Sequence, residues 1–141
     1  MLMEKKGSKA TTRYVERILV FSGGGLVSAV VFDDDKAKIL VDWPESVALQ
    51  SMALVAKIYN IYRKTGRRVI YQNLWVAYIP EDSDYIVMAK IEHKKYLLPV
   101  VGLIRRIGKS LSGAPEESSL IGELVVNMFK KYFSGSSNQE I

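Results

Sequence analysis

The sequence predicts an α+β protein built on a five-stranded antiparallel sheet, and three observations carry that prediction. Residues 44–65 repeat apolar side chains at helical spacing over an unusually wide arc. Short β-rich runs come in two groups, a pair before that helix and three after it, and the links within each group are too short for parallel crossovers. Two further stretches, beginning near Leu98 and Glu116, again show helical periodicity.

The 141 residues suffice for one domain with a real core, and the 48% hydrophobic content is that of an ordinary globular protein. No run of about 18 apolar residues is present, so a transmembrane segment is not expected. MLMEKKGSKA lacks the apolar stretch of a secretory signal, which makes a cytoplasmic protein the expectation. Cysteine is absent, which removes disulfides, thiolate nucleophiles and sulfur-ligated metals. The single histidine, His93, sits between Glu92 and Lys94 at a strand end, where a solvated loop residue is favoured over a ligand or general base. No catalytic, metal or cofactor-binding residues are therefore assigned, and a non-enzymatic binding protein is expected. A formal charge of +5 favours acidic partners without naming one. The basic doublets Lys5–Lys6, Arg67–Arg68, Lys94–Lys95, Arg105–Arg106 and Lys130–Lys131 fall in different elements, so nucleic-acid binding is a secondary reading.

Taken in order, residues 1–10 form a polar tail expected to be disordered. Thr11 or Thr12 then caps a short helix from Arg13 to about Phe21, ended by Gly23, Gly24 and Gly25. The competing reading makes Arg17–Phe21 a strand and the glycines a hairpin, and the apolar run alone does not separate the two. The triple glycine lacks the Lys-Ser/Thr of a phosphate loop and reads as backbone punctuation. Leu26–Phe32 and Ala37–Trp43 form a hairpin around Asp33, Asp34, Asp35 and Lys36, whose carboxylates read as turn chemistry rather than a cation loop.

The long helix follows, with Pro44 preset for its first turn and Gly66 placed to stop it. With Val47 at zero, Ile61, Leu54 and Ile58 lie within roughly 40° of it. Tyr62, Val55, Ala48, Tyr59, Met52, Ala56 and Leu49 carry the arc to about 200°. Only Ser51 and Arg63 interrupt it, while Gln50, Lys57 and Lys64 form a polar ridge bordered by Asn60. A surface helix needs a stripe little more than about 100° wide, so this one is expected to pack both on its sheet and on another helix, from its own chain or from a second copy. The alternative is a helix wholly buried inside a monomer.

Arg67–Gln72, Leu74–Ile79 and Tyr85–Ile91 then read as a meander, with a tight turn at Gln72–Asn73. The two arginines opening the first of these strands are a device that guards a sheet edge, or else mark an edge that a specific partner extends. A helix from Leu98 or Pro99 to about Gly113 is weakened by Gly102 and Gly108 and depends on packing. After Ala114 and Pro115, a last helix spans about Glu116 to Phe133, with Leu120, Ile121, Leu124, Val125, Met128, Phe129 and Tyr132 along one stripe. Residues 134–141 are expected to be a loose tail.

The string GGGLVSAVVFDDDKAKILVDWPES at Gly23–Ser46, the apolar helix after it and DYIVMAKIE at Asp84–Glu92 together resemble the Roadblock/dynein light chain family, within the wider Roadblock and longin group. The resemblance implies a Roadblock-like domain over 11–113, with 114–133 as an additional C-terminal helix of the kind longin domains carry. It implies a sandwich with one long helix on one face of the sheet and shorter helices on the other. It further implies a homodimer, or a heterodimer with a related chain, in which the edge strand pairs with its counterpart and the long helices lie side by side. The implied dimer-interface residues are Arg67, Val69, Ile70, Tyr71, Met52, Val55, Tyr59 and Tyr62. The family's dimers are platforms for small Ras-like GTPases and for motor or trafficking assemblies, which makes Gln50, Lys57, Asn60 and Lys64 candidate partner contacts. A small-molecule sensor of the profilin, PAS or GAF sort is the remaining alternative.

Overall fold

The computed structural model describes residues 14–23, 25–33, 36–112 and 117–140. The polar segment 1–10, the cap at Thr11 or Thr12, the turn residues Asp34 and Asp35, the break at Ala114 and Pro115, and Ile141 lie outside the described residues.

The segment expected to form the first helix is a strand, β1 (Val15–Ser22), and this changes the sheet from five strands to six. Ile18 and Val20 enter the core on one side of the sheet, whereas Leu19 and Phe21 enter the core on the other. A run apolar at every position is what a strand buried on both faces requires, and β1 lies between β2 and β6. β1 and the strand after it therefore form a hairpin, with Gly23 at φ 61° in the link. Irregular register between Val15 and Arg17 returns Val15 to the same core as Ile18, a shift of face that a bulge permits.

The remaining strands are β2 (Gly25–Asp33), β3 (Lys36–Leu40), β4 (Val69–Gln72), β5 (Trp75–Tyr78) and β6 (Tyr85–Ile91). All pairings are antiparallel, in the order β3-β2-β1-β6-β5-β4. β3 stops at Leu40, short of the expected Trp43, because the Trp43 indole donates to the Leu40 carbonyl at 3.1 Å and folds the chain toward the helix. The β4–β5 turn centres on Asn73 and Leu74, with φ 50° and 65°, one residue later than Gln72–Asn73.

Helix α1 (Glu45–Thr65) lies alone on one face, touching β2 near one sheet edge and β4 at the other, so it crosses the strands. Gly66 ends it at φ 72°, its N–H donating to the Tyr62 carbonyl at 2.7 Å. Gly66→Ala is expected to lower stability by about 1 kcal/mol, because a Cβ is strained in that conformation. A urea midpoint shifted downward at unchanged slope checks this.

The opposite face carries α2 (Leu97–Leu111), entered through a single 3-10 turn at Lys94–Tyr96, and α3 (Ser118–Glu140). Helix α3 runs on past Phe133 to Glu140, where a loose tail was expected. Val100, Leu103, Ile104 and Ile107 of α2 join Ile121 and Val125 of α3 over the sheet. Phe129 packs on Phe32 and Phe133 stacks on Tyr14 at 4.1 Å, which fastens α3 to β2 and to the residue that leads into β1. No helix among the described residues is long and apolar enough to cross a membrane.

Candidate functional site

Beneath α1 the sheet presents one wholly apolar cross-strand row, Leu40, Ala29, Leu19, Met88, Ala77 and Ile70. Val55 and Ile58 of α1 are buried against this face. Ser51 is buried there too, and it can be because its hydroxyl donates to the Val47 carbonyl at 2.6 Å, which satisfies its polar atom within the helix.

Sheet contact uses only one side of α1. The other side is an outward seam of Leu49, Met52, Ala53, Ala56, Asn60 and Arg63, recurring at three- and four-residue intervals. Leu49 is 64% exposed and Met52 59%. Ala53 and Ala56 beside them are exposed and small, so a second helix can approach closely. The seam is apolar in its first half and polar in its second.

The sequence-derived interface residues divide accordingly. Met52, Arg67 and Tyr71 are exposed, Tyr59 and Tyr62 half-buried at the flank of α1, and Val69 half-buried on the face opposite α1. The side chains of Val55 and Ile70 point into their own subunit's core at 7% and 4% exposure, which leaves Ile70 only its backbone at the β4 edge for a neighbour and removes Val55 from the outward surface. Leu49, Ala53 and Ala56 were not singled out, although Leu49 and Ala56 lay at the far end of the apolar arc. Gln50, Lys57, Asn60 and Lys64 are all exposed along one ridge of α1.

Strand β4 is the last in the sheet on its side, so its outer backbone edge faces no described strand. Arg68, expected to guard this edge, instead pins the corner. Its guanidinium donates to the carbonyls of Ile79 and Pro80 at 3.1 Å each, approaches Glu81 at 3.9 Å and covers the Tyr62 ring at 5.3 Å. His93 accepts from the Lys95 N–H at 3.0 Å through Nδ1, the role of a turn cap. Arg105, Arg106, Lys109, Lys130 and Lys131 are exposed on the helix layer opposite α1.

A cleft of about 310 Å³ lies between the Gln50 and Lys57 flank of α1 and the sheet, with Arg17 and Trp75 on its floor. Comparisons of the chain with protein-family models, with curated proteins and with solved structures return no match.

Proposed function

We propose that the chain is a non-enzymatic, dimeric Roadblock-like scaffold whose α1 pairs with the α1 of a second copy or of a related chain, and whose dimer binds a small Ras-like GTPase or a related assembly. The observation that carries the reading is the outward seam of α1: two large apolar side chains and two alanines in a row, on a helix no other described element covers. The open edge of β4 supports it, since edge pairing and helix pairing are the two contacts the resemblance implies. The second C-terminal helix, α3, favours the longin side of that group. With α1 paired along its seam, Gln50, Lys57, Asn60 and Lys64 stay accessible beside it and form the partner surface.

Immobilised chain exposed to extract of its native host is expected to retain a Ras-like GTPase identifiable by mass spectrometry. The double variant Lys57→Glu, Lys64→Glu is expected to lose it, because charge reversal on a contact ridge disfavours association. Retention of no GTPase by the unmodified chain would overturn the partner assignment.

A nucleic-acid-associated role is the second reading, favoured by the five exposed cations on α2 and α3. It requires measurable, salt-sensitive affinity for generic duplex, and absence of binding at low salt ends it.

A further inference from the structure

Next to the apolar row under α1, the register of the sheet sets a second row on the same face: Lys38, Val31, Arg17, Lys90, Trp75 and Gln72. Here Arg17 and Lys90 stand directly opposite each other, and like charges in that position repel. Lys90 inclines over the Trp75 ring, 5.9 Å from its centroid. Neither cation has an ion-pair partner among the described residues. Arg17 Nε is buried without a hydrogen-bond partner, an arrangement that is costly unless something completes it.

A cleft opens between this row and α1, and the Arg17 side chain lines it. Arg17 and Lys57 bring two cations to it, Leu19, Leu54 and Trp75 supply apolar and aromatic walls, and no acidic residue lines it. Its 310 Å³ corresponds to about ten waters at roughly 30 Å³ each, so it suits a ligand of about ten to fifteen non-hydrogen atoms rather than a nucleotide.

We propose that the cleft between α1 and the Arg17–Trp75 part of the sheet is a binding site for a small aromatic carboxylate. The carboxylate takes a fork from the terminal Nη groups of the Arg17 guanidinium, and Lys57 closes over it from α1. The ring lies against Leu19, Leu54 and Trp75. Bound charge also relieves the Arg17–Lys90 repulsion. The site needs neither dimer nor GTPase, so it stands or falls apart from the scaffold reading.

The test uses the full chain with 2-naphthoate, followed by calorimetry and by the Arg17 Nε–H and Trp75 indole N–H signals in ¹H–¹⁵N spectra. Saturable binding is expected with a dissociation constant of about 1 mM or below, shifting those two signals and leaving the Trp43 indole in place. Neutral 2-naphthalenemethanol is expected to bind at least about tenfold more weakly. Arg17→Gln and Lys57→Gln are each expected to weaken naphthoate by about tenfold while leaving the neutral alcohol unaffected. Lys57 is exposed on α1, so that variant keeps the test valid should Arg17→Gln fold poorly. Inorganic phosphate, which has no apolar body, is expected not to compete. No binding up to about 10 mM, equal binding of the alcohol, displacement by phosphate, or unaltered affinity in both variants would overturn the assignment.

Discussion

Replacing Ala56 by Arg is expected to split the proposed α1-paired dimer while leaving the subunit folded. Ala56 sits in the middle of the outward seam, exposed, with Met52 and Leu49 one and two turns before it and Asn60 and Arg63 after it. In an antiparallel pair of α1 helices, Ala56 meets its own counterpart, Met52 meets Asn60 and Leu49 meets Arg63. Two guanidinium groups forced together at the closest point of approach hold the helices apart and leave unpaired charge at a desolvated contact. The lost burial of Leu49 and Met52 on both copies adds to this, at about 1.5–3 kcal/mol for each fully buried side chain. Together these predict a dissociation constant raised by at least about a hundredfold, each tenfold being about 1.4 kcal/mol. Within the subunit nothing is disturbed, since Arg is nearly as good a helix former as Ala and exposed substitutions shift stability by about 0.5 kcal/mol or less. Light scattering of the variant beside its circular-dichroism melt separates the two effects.

Gly108→Val is the substitution expected to damage the fold most. A Cβ at Gly108 falls 2.7 Å from two ring carbons of Tyr78 and 3.1 Å from Pro80 Cγ. The ring has little freedom to give way, since Tyr78 is buried and Arg105 lies over it at 6.0 Å. Helix α2 must therefore lift, and with it Val100, Leu103, Ile104 and Ile107, all fully buried. A cost of about 3 kcal/mol or more follows, a large part of the 5–15 kcal/mol typical of a domain. Gly102 provides the contrast. Its Cβ would first meet the hydroxyl end of Tyr132, a half-buried ring of α3 with Arg106 over it at 5.2 Å, so the clash falls between two helices rather than between helix and sheet. Gly102→Val is therefore expected to cost less, and chemical denaturation of the pair gives the order directly.

Those two glycines illustrate what the sequence showed and what it withheld. Their low helix propensity marks α2 as dependent on packing, but only the structure shows that Gly108 packs directly against the Tyr78 ring of β5. The hairpins, the meander, the long helix and its Gly66 stop were readable because turn residues and periodicity are local signals. For β1 the helix expectation fails and the strand alternative holds, and periodicity leaves both open because Ile18–Phe21 is apolar at consecutive positions, a pattern that does not discriminate a doubly buried strand from a helix. For α1, periodicity gave an arc of about 200° without saying which part of it the sheet takes. Val55, an implied interface residue, turns toward the sheet and Tyr62 sits half-buried at the flank, whereas Leu49 and Ala56 at the end of the arc face outward. The Arg17–Lys90–Trp75 row was invisible beforehand, since it is assembled from three strands by cross-strand register.

The outward seam of α1 gives the scaffold reading its physical basis, and sedimentation equilibrium of the unmodified chain at micromolar concentration tests it most directly. The seam predicts a species of twice the 15.9 kDa chain mass that reverts to single chains in Ala56→Arg. A single-chain mass for the unmodified protein across that range would contradict it.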